Sequence, residues 1–158
     1  MKTLYIIRHA KTNRSKDDLK RELIPLGIER TNKLGKYLKD KKCKVDILFS
    51  SYAKRAMQTA EIIAENIKYP KEKIISKESL YLTSQEQYFN IILEQNDSVN
   101  SIMIVGHNPE ISNVAQFFVA DFMSYMQTGA CICLEFKTDN WIDIFTAERV
   151  AKFYIRCE

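Results

Sequence analysis

Short apolar runs recur along the chain, and their composition indicates β-strands. Residues 4–7, 45–49 and 101–105 are rich in isoleucine, valine and aromatic side chains and are shorter than a normal helix. Nearly uninterrupted runs of this kind are typical of strands buried on both faces of a sheet. Three further stretches predict additional strands, at residues 73–76, 130–136 and 150–156.

Between these runs, apolar residues recur at the spacing of amphipathic helices. Four helices are predicted, over residues 28–39, 53–67 and 85–94 and from Pro109 onwards. Pro25 and Gly27 mark a break before the first of them. Ser50 or Ser51 is a suitable N-cap for the second helix, and Asn108 followed by Pro109 suits the start of the fourth.

The order of the elements predicts the fold class. Strands alternate with helices over most of the 158 residues, and a short segment around Trp141 is also compatible with a helix. Such alternation predicts an α/β fold, a three-layer α/β/α sandwich with a mostly parallel central sheet and helices on both faces. No internal repeat or linker interrupts the pattern, so we expect residues 1–158 to form a single domain.

Composition and charge exclude several classes of protein. Hydrophobic residues make up 46% of the chain and charged residues 28%, which is ordinary for a globular domain. The net charge of +4 comes from scattered lysines, with no basic stripe interleaved with aromatics, so no nucleic-acid partner is expected. No apolar run approaches the roughly 18 residues of a membrane span, and residues 4–7 are too short for a signal peptide. The expected location is cytoplasmic.

The cysteines do not indicate metal or redox chemistry. Cys43, Cys131, Cys133 and Cys157 show neither a zinc-type spacing nor a Cys-x-x-Cys motif. Cys131 and Cys133 lie two residues apart in a predicted strand and would therefore share one of its faces. We expect four reduced thiols, most of them in the core.

Two histidines stand in matching positions. His9 directly follows the run at residues 4–8, and His107 directly follows the run at residues 101–106. In an open α/β sheet, ligands bind at the carboxyl ends of the strands, where both imidazoles would lie. A single histidine there would more often be structural, but two in the same setting favour a site. Neither has a companion ligand at zinc-type spacing, so no metal is expected.

Arginines accompany the histidines. Arg8 precedes His9, and Arg55 falls in the first turn of the second predicted helix, again after a strand. Arginine suits bidentate contact with phosphate oxygens, and helix N-termini add backbone donors. Taken alone, Arg55 beside Lys54 would be interpreted as a solvated surface charge. Together with Arg8, His9 and His107, it predicts an anion pocket. A neutral imidazole there can attack phosphorus, since the arginines disfavour the imidazolium.

Three motifs resemble those of the histidine phosphatase superfamily, which has the phosphoglycerate-mutase-like fold. They are Arg8-His9-Ala10, the segment Ser50-Ser51-Tyr52-Ala53-Lys54-Arg55-Ala56-Met57-Gln58-Thr59-Ala60-Glu61, and Val105-Gly106-His107-Asn108-Pro109. The last is similar to the Gly-His-Asn-Pro form of the SixA-type phosphohistidine phosphatases. Asp18, Arg21, Leu23 and Gly27 resemble the Asp-x-x-Arg-x-Leu stretch of that branch.

This resemblance implies a role for each pocket residue. His9 would be the phosphorylated nucleophile, Arg8 and Arg55 would bind the phosphoryl group, and His107 would donate a hydrogen bond to it. Asn108, in the same motif as His107, is a further expected substrate-binding residue. The resemblance also implies that the enzyme uses no metal and no cofactor.

One departure from the family pattern bears on the substrate. Mutases and many phosphomonoesterases of the family carry a catalytic acid after the third strand, where this chain has Leu80-Tyr81-Leu82. The nearby Glu78 and Glu86 are expected to be solvated surface charges. A phosphoramidate nitrogen can be protonated before it leaves, so the missing acid favours phosphohistidine in a protein. A small-molecule phosphatase of the same fold and a non-catalytic phosphate-binding module are the alternatives.

Overall fold

The computed structural model describes residues 1–121 and 125–158. Within these residues it contains six strands and four α-helices. The strands are β1 (Lys2–Arg8), β2 (Ile47–Ser51), β3 (Ile75–Lys77), β4 (Ser101–Gly106), β5 (Cys131–Phe136) and β6 (Arg149–Ile155). The helices are α1 (Pro25–Asp40), α2 (Lys54–Ile67), α3 (Gln85–Leu93) and α4 (Glu110–Phe118). Short 3₁₀ helices lie at Asp18–Lys20, Lys71–Lys73, Glu78–Leu80 and Trp141–Asp143, the last confirming the helical interpretation around Trp141.

The strands form one mixed sheet in the order β3-β2-β4-β1-β5-β6. β3, β2, β4 and β1 are parallel to one another, whereas β5 and β6 are antiparallel additions at one side. Parallel neighbours need crossover connections, and α2, α3 and the stretches around them supply these. The predicted α/β class with a mostly parallel sheet is confirmed.

Each face of the sheet is covered by a pair of helices. Leu4 and Ile6 of β1 pack in the core shared with α3 and α4, while Tyr5 and Ile7 point to the opposite face and pack with α1 and α2. This alternation follows from the two-residue period of a strand. Because both faces are buried, β1 needs apolar residues at consecutive positions, which explains its uninterrupted run.

The start of the first helix differs from the prediction. α1 begins at Pro25, three residues before the predicted start at residue 28, and Gly27 is buried within its first turn. Proline suits the first position of a helix because its missing N–H would have no partner there. Pro25 therefore begins the helix, where the sequence pattern indicated a break before it.

Two predicted N-caps were wrong for a common reason: the side chains of Ser50, Ser51 and Asn108 form other hydrogen bonds. α2 begins at Lys54 with Ala53 as its N-cap, and Ser51 contacts His107. α4 begins at Glu110 after Pro109, and neither helix has a side-chain capping hydrogen bond. The Asn108 amide instead donates a hydrogen bond to the Met126 carbonyl and accepts one from the Ser112 hydroxyl.

The cysteines are free as expected, but two of the four, rather than most, are buried. All four are free thiols, and Cys131 and Cys133 are buried on the face of the sheet covered by α1 and α2. Cys43 and Cys157 are half-buried beside the same cluster.

None of the helices within residues 1–121 and 125–158 combines the length and the apolar character that a membrane span requires.

Candidate active site

The parallel pairing of β1 and β4 brings the two histidines together. Arg8 pairs with Gly106 in the register of the two strands, so His9 and His107 leave the sheet side by side. The His9 backbone N–H donates to the Gly106 carbonyl at 3.1 Å, and the two imidazole centroids lie 5.1 Å apart. Both residues are only 7% exposed. Matching positions at the ends of neighbouring strands thus become one buried pair.

The position before His107 requires glycine. A Cβ added at Gly106 would come within 2.2 Å of the Tyr88 hydroxyl oxygen. That hydroxyl accepts the His107 backbone N–H at 3.2 Å and donates to the Leu80 carbonyl, also at 3.2 Å. Tyr88 of α3 therefore ties the backbone of His107 to the loop that follows β3.

A backbone carbonyl fixes the tautomer of His9. Its Nδ1 lies 2.8 Å from the Ala10 carbonyl oxygen, which can only accept a hydrogen bond. Nδ1 therefore carries the proton, and in the neutral ring Nε2 keeps a free lone pair. The Ala10 backbone N–H donates to Thr59 Oγ1 at 3.0 Å, which anchors the turn on α2. His9 is thus oriented with Nε2 as a nucleophile.

A serine orients the ring of His107. Its Nε2 lies 2.7 Å from the hydroxyl oxygen of Ser51, at the end of β2. The Ser51 oxygen also accepts the Ala53 N–H at 3.3 Å, which leaves the hydroxyl proton free to be donated to Nε2. With Ser51 as the donor, Nδ1 of His107 carries the ring proton. This Nδ1 is buried and has no hydrogen-bond partner among the described residues, so it is a donor available to a ligand.

The site keeps both imidazoles neutral. Burial lowers the pKa of His9 from 6.5 to about 3, with His107, Arg55 and Arg8 adding to the effect. Burial and then Arg55 lower the pKa of His107 to about 4. Both rings are therefore uncharged near neutral pH, where a neutral His9 is nucleophilic.

The two predicted arginines supply the positive charge. Arg55 is 5% exposed, and its guanidinium donates to the Asp18 carbonyl at 2.7 Å and to the Asp18 carboxylate at 3.1 Å. Arg8 donates from Nη1 to the Met126 carbonyl at 3.0 Å. The Nε atoms of both arginines are buried without a partner in the part of the chain that the structure describes. Unsatisfied cationic donors beside two neutral imidazoles suit an anion.

Asp18 and Arg21 also belong to the site. The Asp18 carboxylate pairs with Arg55 and with Arg21, and it accepts the Tyr81 hydroxyl proton. The hydrogen bond from Tyr81, reinforced by Arg21 and Arg55, lowers the pKa of Asp18 to about 2. The motif resemblance marked Asp18 and Arg21 without giving them a place, and Tyr81 and Ser51 were not predicted as site residues.

Asn108 lies beside the site, but its amide is already engaged. It donates to the Met126 carbonyl at 2.8 Å and accepts from the Ser112 hydroxyl. The Met126 carbonyl also accepts from Arg8, and the Met126 N–H donates to Ser112 at 2.8 Å. Asn108 thus helps to fix the carbonyl that positions Arg8. Its direct contact with substrate stays a prediction.

The two glutamates near the missing acid are solvated. Glu78 and Glu86 are both exposed, as expected of surface charges. Among the described residues, no three His, Cys, Asp or Glu side chains gather closely enough to hold a metal ion. Two other titratable side chains do contact the site: Asp18 pairs with Arg55, and the Tyr81 ring meets that of His107.

A cavity of about 620 Å³ lies away from these residues, at the other end of the sheet. Tyr5, Lys41, Cys43, Cys133 and Phe153 are among its lining residues. It adjoins the carboxyl end of α1, where the helix dipole disfavours anions, despite the lysines around it. The anion-binding features lie instead at the carboxyl ends of the parallel strands.

The neutral histidines make a prediction about stability. Between about pH 6.5 and pH 4, the unfolded chain binds protons on His9 and His107 that the folded chain does not. The free energy of unfolding should therefore decrease as the pH falls, by up to about 1.4 kcal/mol per pH unit for each histidine. Urea unfolding across this range measures the slope.

The variant His107→Gln separates this effect from the titration of carboxylates. It retains a polar side chain but removes one of the two histidines, so its stability should decrease less steeply than that of the wild type. Parallel slopes for the two proteins would show that His107 is protonated equally in the folded and unfolded states.

Comparisons with known proteins liken part of the chain to one family. The family model of the histidine phosphatase superfamily (branch 1) matches residues 4–80, which contain Arg8, His9 and Arg55. A 2,3-bisphosphoglycerate-dependent phosphoglycerate mutase of Nautilia profundicola is 39% identical over 72 residues. That alignment covers 42% of this chain and 31% of the mutase, so the chain matches less than a third of that relative's length.

Solved structures match over nearly the whole chain. A protein from Nakamurella multipartitia assigned as the phosphohistidine phosphatase SixA superposes with a TM-score of 0.85 at 19% identity, covering 99% of this chain and 96% of its own. The protein histidine phosphatase SixA complexed with tungstate superposes with a TM-score of 0.81 at 16% identity, covering 98% of this chain and 96% of its own. At these identities the likeness shows the fold. The match over residues 4–80 and the shared fold liken this chain to the histidine phosphatase superfamily.

Proposed function

We propose that this protein is a phosphatase that forms a phosphohistidine intermediate on His9, and that its substrate is phosphohistidine in a protein. The observation that carries the proposal is the orientation of His9. Its Nδ1 proton is held by the Ala10 carbonyl, which leaves the Nε2 lone pair free, and burial with the nearby charges of Arg55 and Arg8 keeps the ring neutral. Buried, unpartnered Nε groups on Arg8 and Arg55 suit the oxygens of a phosphoryl group.

In the first step, His9 Nε2 attacks the phosphorus atom. The Nε2–P bond forms while the bond from phosphorus to the leaving nitrogen breaks, and the electron pair of that bond stays on the leaving nitrogen. Arg8, Arg55 and the Nδ1–H of His107 stabilise the charge that builds up on the three phosphoryl oxygens. Because both histidines start neutral, no proton has to be removed from His9 before it attacks.

In the second step, water attacks phosphorus and the P–Nε2 bond breaks. The electron pair of that bond returns to Nε2, and the water proton leaves with the phosphate. The Nδ1–H bond to the Ala10 carbonyl persists through both steps, so His9 ends in its starting tautomer. The arginines and His107 act in both steps because the phosphoryl oxygens stay in the same place.

The state of Asp18 favours a nitrogen leaving group. An alkoxide needs a proton donor as it leaves, but Tyr81, Arg21 and Arg55 hold Asp18 ionised, with its pKa at about 2. The pKa of Tyr81 is raised by the same hydrogen bond, so the phenol is a poor acid at neutral pH. A phosphorylated imidazole can be protonated on its other nitrogen and leave as neutral imidazole, without an acid from the enzyme.

A small phosphorylated molecule is the second candidate substrate. The likeness over 72 residues to a phosphoglycerate mutase supports it, since the same pocket would accept the phosphoryl group of a phosphoglycerate. The non-catalytic alternative is less well supported, because a module that only binds phosphate does not need an imidazole oriented as a nucleophile.

A substrate panel tests the proposal. We expect kcat/KM for a phosphohistidine peptide to exceed that for a matched phosphoserine peptide and for 3-phosphoglycerate by more than about 10²-fold, the lower range of what a general acid contributes. Phosphate release under matched conditions gives each value. The variant His9→Ala, tested with the same substrates, corrects for the spontaneous hydrolysis of phosphohistidine.

The panel also separates the alternatives. A preference for 3-phosphoglycerate or phosphoserine would establish a phosphomonoesterase and overturn the proposed substrate. Binding of all three substrates without turnover of any would indicate a binding module.

A further inference from the structure

A row of four rings leads from the nucleophile to the surface. The centroids of His9 and His107 are 5.1 Å apart, those of His107 and Tyr81 are 5.6 Å apart, and those of Tyr81 and Tyr52 are 5.6 Å apart. Exposure rises along the row: both histidines are 7% exposed, and Tyr52 is 37% exposed. The two tyrosines therefore line the way out of the pocket.

Tyr81 is held firmly in this row. Its hydroxyl donates to the Asp18 carboxylate, which is itself paired with Arg55 and Arg21. The Arg55 guanidinium lies 5.9 Å from the centre of the Tyr81 ring, and both neighbouring rings meet Tyr81 edge to face at 80°. A ring with these contacts is pre-organised, so little conformational freedom is lost when a ligand packs against it.

Leu82, the residue after Tyr81, adds apolar surface next to the tyrosines. Leu82 is 84% exposed, and its φ of 47° lies in the left-handed region that branched side chains rarely adopt. An exposed leucine on strained backbone is unfavourable unless something offsets it, and such positions concentrate at ligand sites. Leu82 and the two tyrosines give the mouth of the pocket an apolar, largely aromatic surface.

The direction of the reaction points the leaving group at this surface. In a phosphoryl transfer the attacking and leaving atoms lie roughly in line, on opposite sides of phosphorus. Because His9 is buried, the leaving group lies on the solvent side of the phosphorus atom, where the rings are more exposed. Tyr81 and Tyr52 are the rings that line this side.

We infer that Tyr81 and Tyr52 form an aromatic wall that receives the leaving group and selects substrates whose phosphoryl group is attached to a flat aromatic ring. This inference rests on the proposed function and deepens it, because imidazole is such a ring. The tyrosines act as specificity-determining residues, while His9, the arginines and His107 perform the chemistry on the phosphoryl group.

Paired substrates test the wall. Phosphoimidazole and phosphoramidate both break a P–N bond, but only the first has a ring. We expect Tyr81→Leu and Tyr52→Leu each to lower the ratio of kcat/KM for phosphoimidazole over phosphoramidate by about three- to tenfold, in the range of one aromatic contact. Tyr81→Phe keeps the ring and should keep the wild-type ratio, even if losing the bond to Asp18 slows both substrates.

The control is Phe117→Leu, an aromatic-to-leucine change outside the row of four rings, in the cluster with Phe89 and Phe145. Its ratio should equal that of the wild type. If neither Tyr81→Leu nor Tyr52→Leu changed the ratio of kcat/KM for phosphoimidazole over phosphoramidate, the aromatic wall would be rejected. It would also be rejected if Tyr81→Phe lowered this ratio as much as Tyr81→Leu does.

A second pair of substrates separates failure of the wall from failure of the proposed function. If the wild type cleaves neither P–N compound, the proposed function is wrong. The ratio for phenyl phosphate over methyl phosphate then tests the wall, since taking each variant relative to the wild type cancels the intrinsic reactivity of the two esters. A ratio that decreases in the leucine variants supports the wall, and an unchanged ratio rejects it.

Discussion

Replacing His9 with alanine is expected to abolish the covalent phosphoryl-enzyme and to lower kcat by more than about 10⁴-fold, the order of loss seen when a catalytic nucleophile is removed. The physical reason is that His9 Nε2 keeps its lone pair, because Nδ1 is committed to the Ala10 carbonyl, and that burial with the nearby charges of Arg55 and Arg8 keeps the ring neutral. Rapid-quench labelling with a ³²P-phosphorylated substrate measures the adduct.

His107→Ala is the matched control, since His107 is equally buried and its ring lies 5.1 Å away. It should slow turnover because it removes a hydrogen-bond donor, yet it should still form an acid-labile adduct on His9. If the adduct disappeared in His107→Ala and persisted in His9→Ala, the roles of the two histidines would have to be exchanged.

Much of the fold can be predicted from the sequence because the sheet is buried on both faces. The central positions of β1 and β4 are apolar on both faces, and short apolar runs between amphipathic segments are typical of such buried strands. The helix starts were less predictable. Pro25 can precede a helix or begin it, and only the packed structure shows which. Ser51 and Asn108 are good N-caps by residue type, but their side chains form hydrogen bonds with distant residues instead.

The candidate site likewise has a part that the sequence predicts and a part that it does not. His9 and His107 could be predicted to meet because each follows a buried strand, and the parallel register then brings the strand ends together. Asp18 could not be placed by such reasoning. It lies in a 3₁₀ turn 37 residues before Arg55, and its contacts with Arg55 and Tyr81 come from three separate segments meeting at one point. No periodicity in the sequence encodes that meeting.

Replacing Arg55 with alanine should weaken phosphate and orthovanadate binding by more than about tenfold, since each charge-assisted hydrogen bond contributes about 1.5–3 kcal/mol. The same change removes a cation from Asp18, whose carboxylate keeps Arg21 and Tyr81 but loses Arg55. The pocket would then combine fewer donors with a less neutralised negative charge. Isothermal titration with orthovanadate, together with kcat/KM, measures the loss.

The neighbouring Lys54 provides the control for Arg55. It is exposed and pairs with Glu22, so Lys54→Ala removes the same charge from the same helix without touching the pocket. Orthovanadate binding by Lys54→Ala should match the wild type, and Arg55→Lys should recover only part of the loss because lysine lacks the planar fork of donors.

A double variant shows how much of the Arg55 effect comes from Asp18. In Arg55→Ala/Asp18→Asn the carboxylate charge is gone, so orthovanadate should bind more tightly than to Arg55→Ala alone, although less tightly than to the wild type. Equal binding by the single and double variants would mean that Asp18 does not repel the ligand and only positions Arg55. Binding by Arg55→Ala equal to that by Lys54→Ala would remove Arg55 from the phosphoryl site altogether, and its buried, unpartnered Nε would then not be a phosphate donor.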